Sequence, residues 1–111
     1  FQKRVICINM GLSDKNTYLK LENRNVKFTR LDQLVKALKL PQVDIIKIDV
    51  EGHGHEVILG AIETIKKYRP IIFYEVHNHH EKHTIEALST LSYQIIEEPG
   101  DMYILIPSTK T

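Results

Sequence analysis

The sequence has 111 residues and a mass of 12.9 kDa, the size of one domain or of part of one. Hydrophobic residues make up 42% and charged residues 26%, the balance of a globular chain rather than a disordered one. Lys and Arg number 15 against 14 Asp and Glu, so no basic excess favours nucleic acid. No apolar run approaches the roughly 18 residues of a membrane span. The single Cys7 excludes an internal disulfide. We therefore expect neither nucleic acid nor a membrane as a partner.

The first part of the chain predicts β-structure. Residues 4–9 form a β-branched apolar run that is typical of a strand, in which Cys7 would be a small core residue. Residues 17–21 alternate in polarity and predict a second strand. Residues 26–28 predict a weaker third strand, and residues 22–25 the turn between the two.

A short amphipathic helix follows. Thr29 and Asp32 have the spacing of a capping box. The apolar residues after it recur at helical intervals, at Leu31, Leu34, Val35 and Leu38. Pro41 ends the predicted helix.

The rest of the chain alternates strands with helices. In order, the pattern predicts a strand at 43–49, one helix with an apolar face from Val57 to Ile65, a strand at 71–76, a helix at 80–91, and strands at 93–97 and 102–106. The turn at 98–101 makes the last two strands an antiparallel pair. Alternating elements of this kind favour a mainly parallel sheet covered by helices on both faces. We therefore predict an α/β fold, a Rossmann-like three-layer sandwich that ends in an antiparallel strand pair.

Two of these predicted strands end in acidic residues. Asp49 and Glu51 follow the first, and Glu75 and His77 follow the second. If the strands are parallel neighbours about 4.8 Å apart, these side chains meet in one crevice beyond the strand ends. There they could act as a general base, hold substrate hydroxyls or bind a divalent cation. Crowded negative charges would also raise the pKa of one carboxyl group.

A purely structural interpretation of these acids is also open. Asp49 and Glu51 stand where acids favour the start of the following helix, and Lys47 could neutralise Asp49 in an ion pair.

Histidines are concentrated in residues 77–83, which hold four of the six. His79 and His83 have the i, i+4 spacing of a metal site on a helix, but a polar loop that enters a solvated helix N-terminus is the interpretation we favour for this segment. His53 and His55 lie in a second loop that we expect to face the crevice.

The segment Lys47-Ile48-Asp49-Val50-Glu51-Gly52-His53 lies at the centre of the sequence. Together with several other segments, it resembles the FkbM family of S-adenosylmethionine-dependent methyltransferases. Similar segments lie on both sides of it, in the family's order, at Asn9 to Asp14, Thr29 to Asp32, Glu56 to Ala61, Pro70 to His77 and Leu91 to Tyr93. Two positions depart from the family pattern, because Gly54 stands where a second acid is usual and Ser92 where glycine is usual.

The resemblance implies that residues 1–111 are the C-terminal part of a methyltransferase domain. The family's first two strands and its Gly-rich cofactor loop have no counterpart here, so we expect a fragment that binds S-adenosylmethionine poorly alone. The sequence also begins with Phe1 and not with Met, which either a longer parent chain or a processed leader would explain.

The resemblance also implies roles for individual residues. Asp49 would lie nearest the methyl group, orienting the acceptor or acting as its base, with Glu51 beside it. Glu75 and His77 would shape the acceptor pocket. Gly11 and Leu12, together with Asp49, would contact the cofactor. The acceptor would be a hydroxyl of a sugar or other small molecule, and no metal ligand is assigned.

A different class of function is also possible. The chain could be a non-catalytic metal- or partner-binding α/β module that uses the 77–83 histidines or an exposed sheet edge. One free cysteine and a cytosolic cofactor favour a cytoplasmic location. The sequence leaves the oligomeric state undetermined.

Overall fold

The computed structural model describes residues 5–50 and 52–108, without the side chains of His79 and His80. In chain order its elements are β1 (Gly11–Leu12), β2 (Thr17–Leu21), β3 (Arg24–Thr29), α1 (Leu31–Ala37), β4 (Ile45–Ile48), α2 (Gly54–Leu59), α3 (Ile62–Tyr68), β5 (Ile71–Glu75), α4 (His79–Ser89), β6 (Tyr93–Glu98) and β7 (Met102–Pro107). The strands form a three-stranded and a four-stranded sheet.

The smaller sheet has the order β1-β3-β2. Strands β2 and β3 pair in an antiparallel sense, which confirms the predicted hairpin. Glu22 and Asn23 connect them with φ angles of 47° and 63°, as a two-residue turn between twisted strands requires. Strand β1 runs parallel to β3 and is only two residues long.

The predicted strand at residues 4–9 is wrong over the part that the structure describes. Residues 5–10 have no regular structure, and Val5 and Ile6 are 66% and 70% exposed. Cys7 is also exposed and is not a core residue. An apolar β-branched run becomes a strand only where a neighbouring strand pairs with it, and none lies beside these residues in the described chain. Residue 4 lies outside the described residues.

The predicted capping box is wrong as well. Helix α1 begins after Arg30 without a side-chain cap, and the Thr29 hydroxyl donates to Asn16 Oδ1 at 2.9 Å. The buried Asp32 carboxylate instead accepts bonds at the start of α3, from the Thr64 backbone N–H at 2.8 Å and the Thr64 hydroxyl at 2.7 Å. Asp32 therefore stabilises the start of α3, which begins 31 residues after the start of α1.

The helix predicted through Val57 and Ile65 is two helices, α2 and α3. The chain turns at Gly60, where a Cβ atom would lie 2.0 Å from the Ser13 carbonyl oxygen. The Gly60 carbonyl also accepts the Asp32 backbone N–H at 2.9 Å. Because α1 and the end of β1 both lie against Gly60, the chain forms two helices here instead of one. The apolar side chains of both helices still face the core.

The larger sheet has the order β4-β5-β7-β6. Strands β4 and β5 are parallel neighbours, with Ile48 opposite Tyr74. Strand β7 enters between β5 and β6 and is antiparallel to both, so the predicted closing pair is confirmed. The prediction of a mainly parallel sheet is not confirmed, because only two of the five strand pairings among the described residues are parallel.

The hydrophobic core lies on one face of this larger sheet. Helices α2, α3 and α4 cover that face with Val57, Ile58, Ala61, Ile65, Ile85 and Leu88. On the opposite face Ile45 is 60% exposed, so the predicted cover on both faces is not present among the described residues. No helix in the described ranges combines the length and the apolar character needed to span a bilayer.

Candidate active site

The carboxyl ends of β4 and β5 bring three polar side chains together. Because Ile48 pairs with Tyr74, Asp49 leaves its strand beside Glu75, the last residue of β5. His77 follows two residues later. Parallel strands present their carboxyl ends at one edge of a sheet, which is where ligands bind in open α/β sheets.

The three side chains form a compact cluster, which we call the acidic cluster: Asp49, Glu75 and His77. The imidazole Nε2 of His77 lies 3.5 Å from Asp49 Oδ1. One nitrogen or oxygen atom from each member lies within 4.8 Å of those of the other two. Glu75 is half-buried and the other two are exposed, so a substrate can reach the cluster from solvent. Glu51, the fourth predicted member, lies outside the described residues.

Within the acidic cluster, Asp49 affects how tightly the Glu75 carboxyl group holds its proton. A hydrogen bond with Asp49, and then the negative charge of Asp49, raise the pKa of Glu75 above its usual value, while His77 and Lys47 oppose this shift. The direction agrees with the effect expected of crowded acids. Glu75 therefore holds its proton more tightly than an isolated glutamate does.

The purely structural interpretation of Asp49, as an ion-pair partner of Lys47 or a residue that stabilises the next helix, does not fit its contacts. In the described part of the chain Lys47 forms no ion pair with it, and its ion-pair partner is His77. The N-cap of α2 is His53, four residues later, and it makes no side-chain capping bond. Asp49 therefore projects from the strand end without holding the next helix.

Beneath the acidic cluster lies a buried pair that the sequence reasoning missed. Tyr74 and Glu81 are both fully buried, and the Tyr74 hydroxyl donates to Glu81 Oε2 at 2.7 Å. Burial, together with this bond, raises the pKa of Tyr74, so the phenol remains a donor. The Asn78-x-x-Glu81 spacing was the available sequence signal, since Asn78 Oδ1 caps α4 by accepting the Glu81 backbone N–H at 3.0 Å.

The same pair explains why residue 54 is glycine. A Cβ atom on Gly54 would lie 2.2 Å from the Tyr74 hydroxyl oxygen and 2.4 Å from Glu81 Oε2. The acid that the family resemblance places at position 54 has no room, because the Glu81 carboxylate fills that space.

The histidines at the start of α2 contact neighbouring elements. His53 Nε2 lies 3.1 Å from Ser13 Oγ, and its ring meets the Phe28 ring edge-on at 5.8 Å. His55 Nδ1 lies 2.6 Å from Thr84 Oγ1 on α4. These contacts tie α2 to the smaller sheet and to α4.

The residues predicted to contact the cofactor lie in the smaller sheet. Gly11 packs under the Phe28 ring, which occupies the position of a Cβ atom at 2.2 Å. Leu12 is partly buried and packs against the core of the larger sheet. Packing against Phe28 accounts for the glycine at position 11, and the cofactor contacts of these two residues stay a prediction.

The described side chains of the 77–83 segment do not converge. His77 faces Asp49, whereas His83 Nδ1 lies 3.8 Å from Glu86 Oε2 on the exposed side of α4. The side chain of His79 is not described. Among the described residues, the set with the spacing to hold a divalent ion is the acidic cluster itself.

A small cavity adjoins the acidic cluster. Its volume is about 240 Å³, and it is lined by Val76, His77, Asn78, Lys82 and Asp101. Ligand pockets usually enclose roughly 300–1,000 Å³, so the described residues line only part of a pocket of ordinary size.

Comparisons with known proteins bear on the fold and the family of this chain. The family model described as the methyltransferase FkbM domain matches residues 9–103. The crystal structure of methyltransferase FkbM from Methylobacillus flagellatus KT has a similar fold, with a TM-score of 0.70 at 13% sequence identity. The match covers 93% of this chain and 28% of that one. A comparison with curated proteins gave no match. Because the family model spans most of the sequence, the chain belongs to the FkbM methyltransferase domain family.

Proposed function

We propose that this chain provides the acceptor side of an S-adenosylmethionine-dependent methyl transfer to a hydroxyl group of a sugar or another small molecule. The observation that carries the proposal is the acidic cluster at the carboxyl ends of two parallel strands. Membership of a methyltransferase family supports the reaction class.

The carboxyl groups of the acidic cluster suit a hydroxyl group as the methyl acceptor. A hydroxyl group must lose its proton as its oxygen forms a new bond to carbon, and a carboxylate within hydrogen-bond distance can take that proton. Asp49 is the more exposed carboxyl group of the pair, and the pKa of Glu75 is raised by its neighbour Asp49. Asp49 is therefore assigned as the base, and Glu75 as the group that orients the acceptor oxygen.

His77 completes the acceptor side. Its imidazole lies 3.5 Å from Asp49 and also lines the adjoining cavity. In that position it can bond a second hydroxyl of a sugar, and Lys82 and Asp101 supply further polar groups at the cavity wall. A polyhydroxylated acceptor fits such a lining better than an apolar one does.

The described residues fit the methyl donor only in part. S-adenosylmethionine supplies an electrophilic methyl group on a positively charged sulfur when it is bound. A negative acidic cluster suits the vicinity of such a charge. On the side where a Cβ atom would point, however, Gly11 is covered by the Phe28 ring, so that side leaves no open space for the cofactor. We assign no cofactor contact beyond those predicted for Asp49, Gly11 and Leu12.

The proposal is tested by methyl transfer from isotopically labelled S-adenosylmethionine to a panel of sugars and polyols. The protein is used as its own gene encodes it, with Asp49→Asn as the variant. Removing a general base lowers kcat/KM by about 100-fold or more. Glu63→Gln is the matched control, since that carboxylate is 68% exposed on α3 and pairs with Lys36. Transfer at the wild-type rate by Asp49→Asn would overturn the role of Asp49, and no transfer to any hydroxyl acceptor would overturn the acceptor class.

A cation site is the second candidate, because two carboxylates and an imidazole lie within 4.8 Å of one another. Oxygen and nitrogen donors of this kind suit divalent ions such as Mn²⁺ or Zn²⁺. Calorimetry with each ion alone tests it, with His83→Ala as the control variant. Micromolar binding that is lost in His77→Ala and kept in His83→Ala would favour this function.

A further inference from the structure

One buried carboxylate has no part in the proposed chemistry. Glu81 is 0% exposed, although it stands at the third position of α4, directly behind the acidic cluster. Charged side chains are rarely buried unless their oxygens are fully bonded, because removing a charge from water is costly. The contacts of Glu81 therefore indicate why it is kept there.

Both oxygens of Glu81 accept hydrogen bonds. Oε2 receives the Tyr74 hydroxyl at 2.7 Å, and Oε1 receives the backbone N–H of His77 at 3.2 Å. The Glu81 carboxyl group is therefore bonded both to the buried Tyr74 and to the backbone of residue 77. The N-terminal turn of α4 favours a negative charge at this position.

The His77 bond joins the buried pair to the acidic cluster. Tyr74 belongs to β5, an inner strand of the larger sheet, whereas His77 lies two residues beyond the end of β5 and has no strand partner among the described residues. A carboxylate bonded to both fixes the backbone of residue 77 relative to the strand. The direction of the His77 ring toward Asp49 depends on that backbone.

We propose that Glu81 is a positioning residue for His77. Its carboxyl group is a clamp that holds the His77 backbone to Tyr74 and so directs the imidazole toward Asp49. Gly54 supports the clamp by leaving the space that the two buried groups occupy. This inference rests on the proposed function for its catalytic meaning, but the geometry it predicts can be measured without any activity.

The test measures the coupling between Asp49 and His77 by NMR. In wild type, Asp49→Asn shifts the ring resonances of His77, because the carboxylate lies 3.5 Å from Nε2. The same shift is measured in Glu81→Ala, Glu81→Gln and the control Glu86→Gln, whose carboxylate is exposed on the same helix. Exchange of the His77 backbone amide with solvent is followed in parallel.

The clamp predicts opposite results for the two Glu81 substitutions. Glu81→Ala loses the ring response to Asp49→Asn and exchanges the His77 amide about tenfold faster, as expected for one lost hydrogen bond. Glu81→Gln retains both, since an amide oxygen can accept the His77 N–H while its NH₂ group donates to the Tyr74 oxygen. Glu86→Gln behaves as wild type.

Two results would overturn the positioning role. One is an unchanged ring response in folded Glu81→Ala, and the other is a response lost equally in Glu86→Gln. Should Glu81→Ala fail to fold, Glu81→Asp replaces it, because the shorter side chain cannot reach Tyr74 and His77 together. An intact clamp in a protein without methyl transfer would leave this inference standing while the proposed function fails.

Discussion

Replacing Gly54 with alanine tests the packing that supports the acidic cluster. Gly54 is the first residue of α2, and alanine is favoured over glycine inside a helix by about 1 kcal/mol. Helix propensity alone therefore predicts a more stable protein. The added methyl group, however, would lie 2.2 Å from the Tyr74 hydroxyl oxygen and 2.4 Å from Glu81 Oε2.

The steric conflict outweighs the propensity. Tyr74 is fully buried and its rigid ring has no free volume to move into. Overpacking costs about 1–3 kcal/mol, and weakening a hydrogen bond to a charged group costs about 1.5–3 kcal/mol. After the gain in propensity is subtracted, Gly54→Ala should lower the free energy of unfolding by about 1.5–5 kcal/mol.

Thermal or urea unfolding followed by circular dichroism measures this change. At this chain length a loss of about 2 kcal/mol lowers Tm by roughly 10 °C. Gly100→Ala is the control for introducing alanine, because nothing lies within 4 Å of its Cβ position, although its φ of +80° adds backbone strain. An unchanged or higher Tm for Gly54→Ala would refute the close packing of Tyr74 and Glu81 against α2.

Two further predictions concern other carboxylates. Asp32→Ala should lower the free energy of unfolding by about 2–3 kcal/mol, because it removes the buried acceptor of the Thr64 N–H and hydroxyl. In the same urea titration Asp32→Asn should lower it less. An equal loss for both variants would contradict the capping role of Asp32. The free energy of unfolding should also contain a component that falls as the pH rises above 4.5 through the raised pKa of Glu75, since the folded state holds that proton more tightly than the unfolded state. Asp49→Asn should remove this component, and its persistence in that variant would contradict the pairing.

The hydrophobic pattern located most of the elements that carry the site. Continuous apolar runs identified β4 and β5, and period-3.6 apolar positions identified the buried sides of α2, α3 and α4. Parallel strands present their carboxyl ends at one edge of a sheet, so the acids that follow those strands were predicted to lie together. These predictions depend only on the local pattern of residues, which can be read from the sequence.

The errors arose where distant residues decide the outcome. The exposed run at residues 5–9 has a high β-propensity but no pairing partner in the described chain. Asp32 could not be assigned to α3, because that contact needs α1 and α3 already packed together. The clamp of Glu81 on Tyr74 and His77 likewise exists only once α4 has docked on the sheet.

The most direct test of the acidic cluster is the titration of the Glu75 carboxyl carbon by NMR. If Asp49 and Glu75 share a proton, Glu75 titrates above the usual glutamate value of 4.5 in the wild type. In Asp49→Asn the negative charge that raises it is gone, and the midpoint should move down toward that value. A Glu75 midpoint that is ordinary in the wild type, or one that stays unchanged in Asp49→Asn, would contradict the meeting of the two strand ends in one site.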